Sequence, residues 1–230
     1  MGWGLLDVII PPRCGGCKRW GERWCADCQN SIRRINHPIC QQCGIPVSST
    51  GRVLCDHCQA DWTRLDRLRA WAYYEGPIQE GIRDIKYHRN FGLAETFGKF
   101  LANLLDSLNW PIQVVVPVPL SPARLRERGY NQAQLLAKPI AYSHGIPLRP
   151  AGLQRTRNTT SQVGLSRKQR IRNVSHAFTV DPETVAGYNV LVVDDVVTTG
   201  ATMNACAAAL KIGKASKIFG LAVARSFQAF

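Results

Sequence analysis

The sequence predicts an α/β domain built on a parallel sheet, preceded by a small cysteine-rich domain that folds around metal. Three observations carry this. Two short runs, 113–118 (QVVVPV) and 190–193 (VLVV), have the near-continuous hydrophobicity of strands covered on both faces. Segments between them carry apolar residues at helical spacing, so strands and helices alternate along the chain. Eight of the nine cysteines fall within residues 13–58, as four C-x-x-C pairs. The boundary between the two parts is expected near residue 64, giving domains 1–64 and 65–230.

Residues 3–10 are apolar but short, lack a basic start and stop at Pro11-Pro12, so a docking helix is expected there rather than a signal peptide. The pairs follow: Cys14/Cys17, Cys25/Cys28, Cys40/Cys43 and Cys55/Cys58. Each C-x-x-C turn puts two thiolates on one small ion, and two turns complete a tetrahedron. Two structural Zn²⁺ sites are therefore expected, paired either in sequence or interleaved. A disulfide framework would need an oxidising compartment, and four dithiols exceed the needs of one redox reaction. His37 and His57 lie near the clusters, but the cysteines already fill both shells.

The second part opens with an aromatic-rich strand over 65–76. Helices follow over 77–87, with Ile78, Ile82 and Ile85 on one face, and over 92–108. His88 reads as a surface or capped residue, while Lys86 is long enough to reach a phosphate. The strand at 113–118 leads into Pro119 and then Arg124, Arg126 and Arg128, ahead of a helix over 131–141. Cationic residues at a helix start oppose its dipole, which points to an external anion there. Residues 153–178 lack a sustained apolar period and hold many arginines, the pattern of a functional lid or of a disordered segment. The last strand is expected over 216–224, and Cys206 is read as a buried packing residue.

Residues 190–202 (VLVVDDVVTTGAT) concentrate the chemistry. A strand leads to Asp194 and Asp195 at the carboxyl edge, where open α/β sheets bind ligands. A small hydroxyl-rich turn then opens a helix expected over 203–212, and such a turn aims N–H groups and a helix dipole at a phosphate. Two carboxylates repel that phosphate, so they serve another part of the ligand, either vicinal ribose hydroxyls or a Mg²⁺ held on ligand oxygens.

The formal net charge is +13. Eleven basic residues and only Glu127 among the acids lie in 124–172, beside this site, which favours a polyanionic partner. No run of about 18 apolar residues predicts a transmembrane helix. A soluble, cytoplasmic protein is expected.

The stretch at 190–202 resembles the 5-phosphoribosyl-1-pyrophosphate (PRPP) motif of type I phosphoribosyltransferases. Taken with the four C-x-x-C pairs, PVPLSPARLRERGYNQA and LQRTRNTTSQVGLSRKQRIRNVSHAF, the chain resembles the ComF family, phosphoribosyltransferase-like proteins with a double zinc ribbon. The resemblance implies that Asp194 and Asp195 hold the PRPP ribose. It implies that Val197, Thr198, Thr199, Gly200, Ala201 and Thr202 wrap the 5′-phosphate. Val118 and Pro119 would belong to the pyrophosphate loop, with Arg124 and Arg128 beside it. It also implies Mg²⁺ bound with PRPP, and a link to single-stranded DNA uptake and competence DNA-transport proteins in natural transformation. Two functions fit. One is phosphoribosyl transfer with loss of pyrophosphate. The other is zinc-dependent binding of single-stranded nucleic acid, with PRPP as a regulator and Trp20, Trp24 and Trp62 available for stacking unless they pack in the core.

Overall fold

In the computed structural model, residues 11–48, 53–60, 63–156 and 177–227 are described. The expected N-terminal docking helix, Trp62 and the centre of the arginine-rich lid, including Arg157, Arg167, Lys168, Arg170 and Arg172, lie outside them. The elements in order are helices Ala26–Asn30 (α1) and Asp56–Gln59 (α2), strand Arg67–Tyr73 (β1), helices Gly76–Tyr87 (α3) and Phe91–Leu108 (α4), and strand Val114–Pro117 (β2). Helices Pro122–Arg128 (α5) and Gln132–His144 (α6) follow, then strands Leu153–Arg155 (β3) and Phe178–Val180 (β4). Helix Pro182–Val185 (α7), strand Val190–Val197 (β5), helix Ala201–Ile212 (α8) and strand Ile218–Arg225 (β6) complete them.

Four strands form one sheet in the order β1-β6-β5-β2, all parallel, as the unbroken apolar runs require. Every residue of β2 and β6 is buried. Alternation along the strands divides the core in two. Leu191 and Val193 of β5 pack with Ile82 and Ile85 of α3, Phe97 of α4 and Leu136 of α6. Val190 and Val192 pack with Met203, Cys206 and Leu210 of α8 on the other face. Both sheet edges are covered, which blunts them as pairing templates. Arg34 bridges to Ala72 on β1, while the N–H of Val115 on β2 donates to Pro147.

Three local differences from the sequence reading have plain causes. The arginines at 124–128 form their own helix, α5, instead of preceding the next one. Ser121 accepts from the N–H of Arg124 at 3.3 Å, Pro122 stands in the first turn, and Gly129 closes the helix at φ 80°. Arg126 and Arg128 therefore sit in its last turn, where cations complement the dipole, and only Arg124 opposes it. The strand β5 runs on to Val197, so both acids lie within it. The ends of the arginine-rich segment are not irregular, since β3 and β4 pair antiparallel there.

Candidate ligand cavity and zinc centres

The carboxyl edge of the sheet opens into a cavity of about 330 Å³. Its lining draws on segments far apart in sequence: Lys86 and Tyr87 from α3, Val118 to Leu120 after β2, and Arg124, Glu127 and Arg128 from α5. Gln132 from α6, Arg155 from β3, Asp194 and Asp195 from β5 and Thr202 from α8 complete it. The expected ribose carboxylates and pyrophosphate-loop residues thus face one space. Asp194 and Asp195 are consecutive in a strand and so address opposite faces of the sheet. Asp195 lies on the α3 side, with Lys86 Nζ 3.0 Å from its Oδ2. Asp194 lies toward α8, where it acts electrostatically on buried Cys206 and, with Arg124, on Arg155. The N–H of Asp195 donates to Oδ1 of Asp194 at 2.8 Å. Burial and then the charge of Asp195 push the Asp194 carboxyl up to about 8. Lys86 is held above its ordinary value: burial lowers it, but the charges of Asp195 and Asp194 outweigh burial.

After Val197 the chain turns through Thr198, Thr199 and Gly200 into α8. Val197 itself was expected in the phosphate loop. The structure places its side chain in the core as the last residue of β5, so any contact from it with a ligand is through the backbone. Gly200 adopts φ 80°, which a side chain would strain, and it offers no capping oxygen to the helix. The N–H groups that open α8 therefore suit an outside acceptor at Thr202, while that of Ala201 already donates to Thr199 Oγ1. The N–H of Ala201 lies 3.4 Å from Thr199 Oγ1. Asn131 ties the segment after β2 to α6 by donating from Nδ2 to the Val118 carbonyl at 3.0 Å.

Tyr87 and Gln132 were not legible as site residues, because each follows from helix orientation in space. Arg155 appeared only as one arginine among many in the expected lid. His88 is a surface residue bonded to Asp84 at 2.9 Å, as expected.

The cysteines gather into two groups paired in sequence: Cys14, Cys17, Cys25 and Cys28, then Cys40, Cys43, Cys55 and Cys58. Within each group all sulfurs lie within 4.8 Å. Contacts of 3.6 Å join Cys14 to Cys28, Cys17 to Cys25 and Cys43 to Cys55. A tetrahedral zinc thiolate centre needs sulfurs about 3.8 Å apart, so both groups fit the metal. Backbone amides support thiolate charge. The N–H groups of Cys25 and Cys55 lie 3.4 Å from the sulfurs of Cys14 and Cys40. Burial raises Cys14 and Cys40, but the amides around them bring both down to about 7. Burial pushes Cys43 up to about 12 and also raises Cys28 and Cys58. No position remains open in either shell, and neither group lines the cavity, so the zinc centres are structural.

Comparison with known proteins agrees with this geometry. Residues 5–59 match the double zinc ribbon domain and residues 93–225 the phosphoribosyl transferase domain. The chain is similar to competence protein F of Haemophilus influenzae, with 31% identity over 86% of this chain and 89% of that protein. It is 30% identical to DNA utilization protein YhgH of Escherichia coli K12 over 85% and 89% of the two chains. It is 29% identical to competence protein ComFC of Bacillus subtilis over 97% and 89%. The chain belongs to the ComF family of phosphoribosyltransferase-domain proteins that carry an N-terminal double zinc ribbon.

Proposed function

We propose that the cavity binds PRPP with Mg²⁺ and that the chain is a phosphoribosyltransferase-like protein linked to DNA uptake; its relatives are named for competence and for DNA utilization. The observation that carries this is convergence. The acid pair, Thr202, Pro119, Arg124 and Arg128, assigned to different ends of one ligand by sequence, line one cavity. In this reading Asp194 and Asp195 accept from the ribose hydroxyls, and residues 198–202 take the 5′-phosphate at the start of α8. Arg124 and Arg128 receive the diphosphate. Their spacing puts both on one face of α5, a helix with no buried residue and so free to present charge. Buried carboxylates and phosphate oxygens are the hard donors Mg²⁺ prefers, and the ion would supply further neutralisation of the diphosphate. The reaction this supports is phosphoribosyl transfer with release of pyrophosphate, driven by positioning and charge stabilisation.

Single-stranded DNA binding in the cytoplasm, beside competence transport proteins, is a second reading favoured by one observation. Trp20 is 58% exposed, with the Arg13 guanidinium 4.1 Å over its ring, a ready stacking platform. Trp24 does not contribute, because it is buried edge-on against Phe97 at 4.8 Å.

Calorimetric titration with PRPP and Mg²⁺ tests the main reading. Micromolar binding that disappears in Asp194→Asn/Asp195→Asn supports it. Absence of binding by the zinc-loaded, folded wild type refutes it and leaves salt-dependent DNA binding as the function to measure.

A further inference from the structure

The acid pair confronts a ligand that is itself highly anionic, so cations must balance both. One such cation is already fixed in the fold. Lys86 lies in the last turn of α3, lines the cavity and keeps only 21% of its side chain exposed. Its ammonium is 3.0 Å from Asp195 Oδ2, yet that buried oxygen has no well-aligned hydrogen bond. The contact is therefore one of charge more than of direction. An ammonium carries three hydrogens, and among the described residues Asp195 is its one carboxylate partner. At least one hydrogen remains for a further acceptor in the cavity. Ordering of this lysine is already met in the fold, because α3 packs Ile78, Ile82 and Ile85 into the core just before it.

We propose that Lys86 is the built-in counter-cation of the ligand site, neutralising Asp195 and donating its remaining hydrogens to the sugar diphosphate. It thereby does part of the charge neutralisation that a divalent cation supplies. This rests on the PRPP reading above and adds a consequence: binding depends only partly on Mg²⁺. Asp194, on the opposite face, stands outside the Lys86 contact and feels the charges of Lys86 and Arg155 instead, so the two carboxylates differ in their cationic surroundings.

The test is calorimetric titration of the full zinc-loaded chain with PRPP, at several millimolar Mg²⁺ and in magnesium-free buffer without chelator, so that both zinc centres stay filled. Wild type, Lys86→Met and Lys86→Arg are compared, with circular dichroism and zinc content as folding controls. In wild type, omission of Mg²⁺ should weaken binding by less than about tenfold. Lys86→Met should lose about thirtyfold or more without Mg²⁺ and recover part of it with the metal, while Lys86→Arg stays close to wild type. Equal binding by wild type and Lys86→Met in both buffers overturns the inference and leaves the PRPP reading intact. Complete dependence of wild type on Mg²⁺ also overturns it, even if the Met variant fails to fold. Absence of PRPP binding by wild type in both buffers overturns both.

Discussion

The two zinc centres share one sequence device and sit in opposite surroundings. In the first, Cys17 is exposed and Cys25 half-buried, yet Cys14, Cys28 and Trp24 belong to the main core beside α3 and α4. In the second, all four cysteines are buried, but they form a satellite cluster with Ile45, Val47 and Leu54. The first ribbon is held by apolar packing, with a Lys18–Asp84 ion pair of 2.6 Å added to it. The second is held by polar contacts to the sheet. Leu68 N–H donates to the Gln42 carbonyl at 2.6 Å, Arg69 to Gln41 at 2.9 Å, and the buried Arg225 guanidinium to Cys43. A filled Cys₄ zinc centre carries two net negative charges, so a buried arginine beside it is compensated. C-x-x-C spacing specifies a ligand set. What lies around that set depends on the surface it docks against.

Loss of metal gives the largest effect. Serine at Cys40 and Cys43 together removes a binding free energy of about 10 kcal/mol or more, comparable to the whole stability of a domain. The second ribbon should unfold, read in the thermal melt as a transition at lower temperature than in wild type. Next, Trp24→Ala and Arg225→Met should each destabilise by about 3–5 kcal/mol, the first by opening a core cavity and the second by stranding a buried charge. Denaturant unfolding can separate the mechanisms, because zinc removal should abolish most of the Arg225 effect and leave the Trp24 effect. Equal sensitivity of both variants to zinc would break the contrast drawn above. A third measurement is kinetic. With a colorimetric chelator, zinc should leave in two phases about tenfold or more apart, the exposed first centre releasing before the buried second.

The smallest effect concerns the ion pair. Burial raises the Asp84 carboxyl, but hydrogen bonds from Lys18, Asn90 and His88 outweigh it and hold the group below its ordinary value. A depressed carboxylate adds stability that is present above the unfolded value and lost as pH falls through the folded one. Asp84→Asn should therefore cost about 1 kcal/mol at neutral pH and nearly nothing in strong acid, read from unfolding midpoints across that range.

What was legible in the sequence was what local spacing encodes. The zinc ligands, the four sheet strands and the main helices follow from C-x-x-C turns, β-branched runs and helical periods, and the structure shifts their ends by only a few residues. Helix α5 is legible in its Ser121-Pro122 start and Gly129 stop, although the arginines at 124–128 fit an anion site as well as a solvated helix start. The acids were placed after the strand because charge ordinarily ends one. They sit inside it because the sheet edge there borders a polar cavity. The Lys86–Asp195 contact had no local signal, since it joins a helix after β1 to a strand near the far end of the chain.

The opposite orientation of Asp194 and Asp195 has a consequence for the order of folding. Asp195 meets its lysine only once α3 has docked, and Asp194 gains its surroundings only once α8 and β3 lie against the other face. Neither half of the chain can assemble the cavity by itself, since its walls come from residues far apart in sequence, and we expect these contacts to form late. A ligand that bridges both carboxylates recognises only the completed three-layer structure and stabilises it by mass action, in proportion to its concentration.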